Sequence, residues 1–270
     1  MNTATKTLVL SPTKTSVLGI GVHRTNYEES TALIVESAKN SKYLPVAAVN
    51  VHSITEAYLD SKGHGHRINQ FPLVVPDGQP VRWGMNLLRK PGEKLLRDRV
   101  RGPELMLRVC EKAAAEGISI FLYGSTKSVL KNLRLNLTRK FPKLIIAGAI
   151  SPPFRTLTPE EDAEYIRQIR QSGAGIVFVS LGCPKQEKWA FEHRQKIDCP
   201  IICVGAAFEI HSGNIPEAPT VMQELGLEWL YRLVREPFRL WKRYVLLNPM
   251  YAVLLFLQVV KLLPLRNPEY

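Results

Sequence analysis

Residues 178–187 read Phe-Val-Ser-Leu-Gly-Cys-Pro-Lys-Gln-Glu. An apolar run from Ala174 to Leu181 stops at Gly182, and Pro184, Lys185, Gln186 and Glu187 follow at once. A short apolar run closed by Gly and Pro has the form of a buried strand. Its last side chains then stand at the carboxyl edge of a sheet, which is where open α/β sheets bind ligands. A cation, an amide and a carboxylate arriving there together are more polarity than a turn requires. Gln186 and Glu187 are therefore candidate binding residues.

The same alternation runs outward from this point. Strands are predicted over residues 17–22, 44–51, 71–75, 118–123, 144–150, 175–181 and 200–204. Helices are predicted over 30–41, 104–116, 127–140, 159–172 and 186–196, where apolar residues recur at helical spacing. Thr158 stands as an N-cap, with Glu160, Glu161 and Asp162 in the first turn behind it. Strand and helix alternate from Ile118 to Phe208. That order implies an α/β chain with a Rossmann-like, doubly wound, mostly parallel sheet. Composition changes after about Pro219, and from Glu224 on Trp, Arg and Leu dominate. The expected division is a catalytic α/β domain over 1–220 and a helical, membrane-associating appendage over 221–270.

The chain has 270 residues, 45% hydrophobic and 22% charged, which excludes a disordered, collagen-like or repeat protein. Thirty-six basic residues against 24 acidic ones give a net charge of +12. Such a surface suits a phosphate-bearing ligand, a nucleic acid or an anionic membrane. Cys110, Cys183, Cys199 and Cys203 fit no zinc spacing, and reduced, mostly buried thiols are expected. Residues 1–15 have no long apolar core and no small-residue cleavage site, so no secretory signal is expected. Residues 244–265 are apolar but carry Asn248, Pro249, Gln258 and Lys261. A helix lying on a membrane or packed on the protein fits better than a span.

Asp77 lies in Val-Val-Pro-Asp-Gly-Gln-Pro, where a rigid turn would hold its carboxylate at the sheet edge. Such a group can take a proton from a hydroxyl as that hydroxyl attacks. Pro-Asp-Gly by itself also reads as a plain turn. Gly124-Ser125-Thr126 joins a strand to a helix, and its amides are placed to hold a phosphate or a sugar hydroxyl. Gly205-Ala-Ala-Phe208-Glu209 repeats the pattern; its small residues admit a ligand or tighten helix–sheet packing. Gly19-Ile20-Gly21 is not a dinucleotide fingerprint, because Arg24 takes the place of the third glycine. His64 and His66 have no third ligand nearby in the chain, so no metal site is expected. Arg99 and Arg101 stand beside a turn, either solvated or reaching a diphosphate. Arg232, Arg235, Arg239, Lys242 and Arg243 are interleaved with Trp229, Tyr231, Trp241 and Tyr244. Cations among aromatics mark a membrane interface or a nucleic-acid surface. The apolar run that follows favours the membrane, and no nucleic acid is expected.

Eight motifs in order resemble one family: Val-Pro-Asp-Gly at 75–78, Arg-Val-Arg-Gly-Pro-Glu-Leu at 99–105, Phe-Leu-Tyr-Gly at 121–124, Phe-Pro-Lys-Leu at 141–144, Leu-Gly-Cys-Pro-Lys-Gln-Glu at 181–187, Val-Gly-Ala-Ala-Phe at 204–208, Gly-Leu-Glu-Trp-Leu-Tyr-Arg-Leu at 226–233 and Glu-Pro-Phe-Arg at 236–239. Together they are similar to the bacterial WecG/TagA/CpsF glycosyltransferases. The resemblance implies an inverting transferase, metal-independent and without a cofactor. It would move a sugar of the N-acetylmannosamine type, its uronic acid or a related hexose from a UDP-sugar to a lipid-diphosphate-linked glycan or polysaccharide. The work would be done at the cytoplasmic face of the inner membrane, in cell-surface polysaccharide synthesis. It implies Asp77 as the base, with Asn50, Arg99 and Gln186 around the substrate and Arg232 and Arg239 near the diphosphate. Gly124, Glu187, Gly205, Phe208, Glu209 and Arg243 complete the expected binding set. Ala48, Glu209 and Glu217 stand where relatives often carry threonine, aspartate and arginine. A non-catalytic nucleotide-sugar sensor of the same fold is the alternative, and a homo-oligomer stays open.

Overall fold

The structure is a computed structural model, and it describes residues 13–264. The reading of residues 1–15 as lacking a signal falls mostly on residues 1–12, outside the described residues. The chain opens with an antiparallel hairpin, β1 (Lys14–Val17) and β2 (Ile20–His23). One strand was expected there; Leu18 and Gly19 both adopt positive φ and fold it into two. Then come α1 (Tyr27–Lys39), β3 (Leu44–Val49), α2 (Val51–Leu59), a π-helical turn (Ser61–Gly65), α3 (His66–Asn69), β4 (Leu73–Pro76) and α4 (Gln79–Leu87). After a long loop follow α5 (Gly102–Glu116), β5 (Ile120–Gly124), α6 (Lys127–Lys140), β6 (Ile146–Ile150), α7 (Pro159–Gln171), β7 (Ile176–Ser180), α8 (Lys185–Glu192), β8 (Pro200–Cys203) and α9 (Ala207–His211).

Strands β3 to β8 form one six-stranded sheet in the order β4-β3-β8-β7-β5-β6, parallel throughout. The pleat sends alternate side chains to opposite faces. Ala47 and Val49 of β3 face a core shared with α2, α4, α7 and α8, whereas Val46 and Ala48 face one shared with α1, α5, α6 and α9. Both faces are covered, so the strands are apolar almost without interruption. The capping box anticipated at Thr158 is present: its hydroxyl accepts the Glu161 N–H at 3.2 Å, and the Glu161 carboxylate accepts the Thr158 N–H at 3.0 Å.

Beyond Pro219 the chain is helical: α10 (Thr220–Glu224), α11 (Glu228–Arg235), α12 (Pro237–Lys242), a π-helical turn (Arg243–Leu247) and α13 (Asn248–Val259). Among the described residues no helix is long and apolar enough to cross a membrane. Helix α13 packs on the body. Tyr251 is buried and donates from its hydroxyl to the Pro80 carbonyl at 3.2 Å. Gln258 binds β1 and the turn of the opening hairpin, accepting from the Leu18 N–H at 2.9 Å and donating to the Ser16 carbonyl at 2.8 Å. Cys110, Cys199 and Cys203 are buried free thiols and Cys183 is a half-buried one, in line with the expectation.

Candidate active site

Two neighbouring strands end in the residues that open the site. Asn50 ends β3 and caps α2, its Oδ1 accepting the Ser53 N–H at 3.2 Å. Asp77 follows β4, and its own N–H donates to the Val49 carbonyl at 2.9 Å. The Asp77 carboxylate accepts from the Gly102 N–H at 2.9 Å on Oδ1 and from the Asn50 amide at 3.4 Å on Oδ2. The strand register and two donors thus fix it at the carboxyl edge. Burial lifts this carboxyl above the ordinary aspartate range, and the charge of Glu228 adds to the effect; Arg99, the Gly102 N–H and Arg101 oppose it. A carboxylate with raised proton affinity, facing a cavity, is suited to accepting a proton.

The loop before α5 brings Arg99 and Arg101 beside Asp77, and α11 brings Glu228 against both. Glu228 lies 3.2 Å from the Arg99 guanidinium and 3.3 Å from that of Arg101. Arg101 also pairs with Glu217 at 2.7 Å. Arg99 further donates to the Gln223 carbonyl at 3.0 Å and, at 3.5 Å, to the backbone carbonyl of Asp77. The turn into α11 sits close on α4, because a Cβ on Gly226 would come within 2.9 Å of the Trp83 ring. Gln79 secures the turn by donating to the Glu224 carbonyl at 2.8 Å. A compact cavity follows between Asn50, Asp77, Arg99, Glu228, Trp229 and Arg232.

A larger cleft of about 550 Å³ continues from it across the ends of β3, β8, β7 and β5. Asn50, Asp77, Glu228 and Arg232 line both spaces, so the two form one continuous site. The cleft floor is tied together at the strand ends. Ser180 donates from its hydroxyl to the Gly205 carbonyl at 2.7 Å, and the Ser125 N–H donates to the Ser180 carbonyl at 3.1 Å. Glu209 is held by the Ser125 hydroxyl at 2.6 Å and the Asn214 amide at 2.5 Å. The Gln186 Oε1 accepts the Gly205 N–H at 3.2 Å. Arg239 lines the opposite wall and pairs with Glu236 at 2.5 Å.

The family model described as "Glycosyl transferase WecG/TagA/CpsF family" matches residues 15–264. The chain belongs to this family. Bacillus subtilis (strain 168) carries a relative named N-acetylglucosaminyldiphosphoundecaprenol N-acetyl-beta-D-mannosaminyltransferase, 31% identical over 182 residues, 67% of each chain. A relative of the same name from Staphylococcus aureus (strain MW2) is 26% identical over 238 residues, 85% of this chain and 86% of its own. The protein is accordingly a glycosyltransferase of the WecG/TagA/CpsF type.

For this WecG/TagA/CpsF chain the fold brings together Asn50, Asp77, Arg99, Gln186, Gly205, Glu209, Arg232 and Arg239 along the continuous cleft. Three expected binding residues are placed elsewhere. Gly124 is buried, and a Cβ there would come 2.3 Å from the Ser180 carbonyl oxygen, so it serves close strand contact. Phe208 is fully buried among the core residues of α5, α6 and α9. Glu187 is also fully buried, and it accepts from the Gln186 amide at 2.8 Å rather than facing the cleft. The side chain of Arg243 lies outside the described part of the structure. His64 and His66 part company: His66 contacts Gln70, while the buried His64 lies 3.5 Å from the Cys183 sulfur. His64, Cys183 and Glu187 form a group whose ligand atoms lie within 4.8 Å of one another, a grouping that spacing along the chain did not reveal. Glu228 was missed as a cleft residue, and Ser125 was read for its backbone amide and not for its hydroxyl. Glu228 was legible only as part of the Gly-Leu-Glu-Trp motif, and Ser125 only as part of the Gly124-Ser125-Thr126 turn.

Proposed function

We propose that this glycosyltransferase transfers a sugar, with inversion, from a UDP-sugar to a lipid-diphosphate-linked glycan during cell-surface polysaccharide synthesis. The two relatives are named for an N-acetylmannosaminyl donor group and an N-acetylglucosaminyl-diphospho-undecaprenol acceptor, and these classes are the first to test. The observation that carries the reading is Asp77, fixed by Gly102 and Asn50 and open to a cleft that arginines of α11 and α12 close from the far side.

The acceptor hydroxyl attacks the anomeric carbon of the donor sugar. A new C–O bond forms, the bond from that carbon to the diphosphate oxygen breaks, and the hydroxyl proton passes to Asp77. Aspartate, with a reference pKa of about 3.9, does not ionise a sugar hydroxyl in advance. It takes the proton as the carbon–diphosphate bond opens, an effect worth about 10²–10⁴-fold. Charge then accumulates on the departing UDP. Arg232 and Arg239 line the cleft, and cations there would stabilise such charge.

The same proposal puts the enzyme on the cytoplasmic face of the membrane, held peripherally by the outer side of α12 and α13. Phe238, Trp241, Val245, Leu246, Val253 and Phe256 are exposed there, beside Arg239 and Lys242.

The test is a screen of UDP-sugars against a lipid-diphosphate-sugar acceptor, scored by the mass of the product lipid, with wild type and Asp77→Asn side by side. The wild type extends the lipid by one sugar. The variant folds and binds donor but turns over at least about 100-fold more slowly. Near-normal turnover by Asp77→Asn would refute the base assignment.

A further inference from the structure

Asp77 has two arginines beside it and no ion pair with either among the described residues. Its carboxylate takes its hydrogen bonds from the Gly102 N–H and the Asn50 amide. Arg99, whose side chain is only 11% exposed, reaches the Asp77 backbone carbonyl but turns its other nitrogen to Gln223 and Glu228. Arg101 is equally buried and is taken up by Glu228 and Glu217. Two guanidinium charges are thus balanced by two carboxylates that are not Asp77.

We propose that Glu228 is a positioning residue of the transfer reaction: it holds Arg99 and Arg101 away from the Asp77 carboxylate, so that Asp77 remains free to take a proton, and it does so from the appendage. The proposal rests on the base assignment above. Without the Glu228 charge, Arg99 keeps only its contacts with the backbone carbonyls of Gln223 and Asp77, and the carboxylate beside it is that of Asp77. A carboxylate in a direct guanidinium pair is a weak proton acceptor, because an opposite charge within about 4–6 Å stabilises its ionised form by 1–3 pH units. With Glu228 in place, burial and the like charge both keep the proton affinity of Asp77 raised.

Other groups around Asp77 do not replace this effect. Tyr27 of α1 donates nothing to it; the hydroxyl accepts the Arg101 N–H at 3.0 Å, and burial pushes its own pKa up to about 12. His52 of α2 lies 3.9 Å from Glu56 and lines the same cavity. Arg232 and Tyr244 line it from the appendage. Glu228 alone among the described residues ion-pairs with both Arg99 and Arg101. Because it is the first residue of α11, its position follows that of the appendage. Proton acceptance at Asp77 is therefore coupled to the seating on α4 of the turn that leads into α11.

The experiment measures kcat/KM against pH for the full-length wild type, Glu228→Gln and Glu228→Asp, with the donor and lipid acceptor found active in the screen. In Glu228→Gln the acid limb of the profile moves down by roughly 1 pH unit. Its plateau falls roughly tenfold, because a weaker base takes the proton less readily. Glu228→Asp keeps the charge, and its acid limb stays at the wild-type position. A lowered plateau with an unmoved limb in Glu228→Gln would assign Glu228 a purely structural contact and overturn the proposal. So would an acid limb in Glu228→Asp displaced as far as in the glutamine variant, and that result is readable even where the glutamine variant does not fold. Failure of the base assignment itself shows separately, as turnover retained by Asp77→Asn.

Discussion

Asn50 donates to the Asp77 carboxylate at 3.4 Å with one end of its amide and caps helix α2 with the other. One side chain therefore orients the proposed base and starts a helix. The two roles come from the two ends of a primary amide, one donor and one acceptor.

Replacement of Asn50 separates them. Asn50→Ala removes both contacts, lowers stability by about 1 kcal/mol as an uncapped helix does, and lowers kcat more than KM. Asn50→Asp keeps the acceptor that caps α2 but puts a second negative charge beside Asp77. Its thermal midpoint stays near that of wild type while the acid limb of the rate profile moves to higher pH. Differential scanning fluorimetry paired with pH–rate profiles reads both effects. Equal loss of stability in the two variants would contradict the capping role.

The outer side of α12 and α13 predicts a lipid-dependent contact. Phe238 and Phe256 are 96% and 63% exposed. Burying one such ring is worth about 1.5–3 kcal/mol, and each nearby cation adds about 1 kcal/mol on an anionic bilayer. Phe238→Asp with Phe256→Asp is expected to abolish co-flotation with vesicles containing anionic lipid and to leave the circular dichroism spectrum unchanged. Unaltered flotation of the double variant would remove this surface from the proposed membrane contact.

Two buried imidazoles predict the acid sensitivity of the fold. His23 accepts the Val74 N–H on Nδ1 at 2.9 Å, which requires that nitrogen to be unprotonated. Burial, then Lys14, pushes its pKa down to about 4. Burial, then Arg67, does the same for His64, also to about 4. Between pH 6.5 and about 4 the unfolded chain holds protons on these rings that the folded chain does not. Stability is therefore complete above pH 6.5 and is lost as pH falls through this window, by as much as ~3 kcal/mol per ring. Asp77, raised in the fold, acts in the opposite direction above pH 3.8 and offsets a part. Urea midpoints measured from pH 7 to 4.5 should fall steadily, and less steeply in His23→Gln. A flat series would show that neither ring is buried neutral.

Strand–helix alternation and the carboxyl-edge site were legible because both leave local marks. The apolar run into Gly182-Cys-Pro-Lys-Gln-Glu and the turn at Pro76-Asp77-Gly78 place polar groups where a strand stops. Helix α2 left no such mark. Asn50 and Val51 read as the end of the strand over 44–51, whereas the Asn50 side chain caps a helix that begins at Val51. Gly124 and Phe208 carried two readings for a related reason. Small and apolar residues at strand ends serve ligand approach and close packing alike; here Gly124 lies against the Ser180 backbone and Phe208 in the α5–α6–α9 core. Glu228 was out of reach because its partner Arg99 lies 129 positions away, and no periodicity links a helix start to a loop at that range.

Gln258 clasps the last helix to the first hairpin with two backbone hydrogen bonds, and Tyr251 is sunk beneath Pro80. A segment fastened at both points is a packed part of the body and not a free tether. On a membrane, as proposed, α13 would carry the body with it, and the mouth of the cleft would keep a set height above that plane. Such a keel would select acceptors by how far their reactive sugar projects, so that headgroup length becomes a determinant of specificity in its own right.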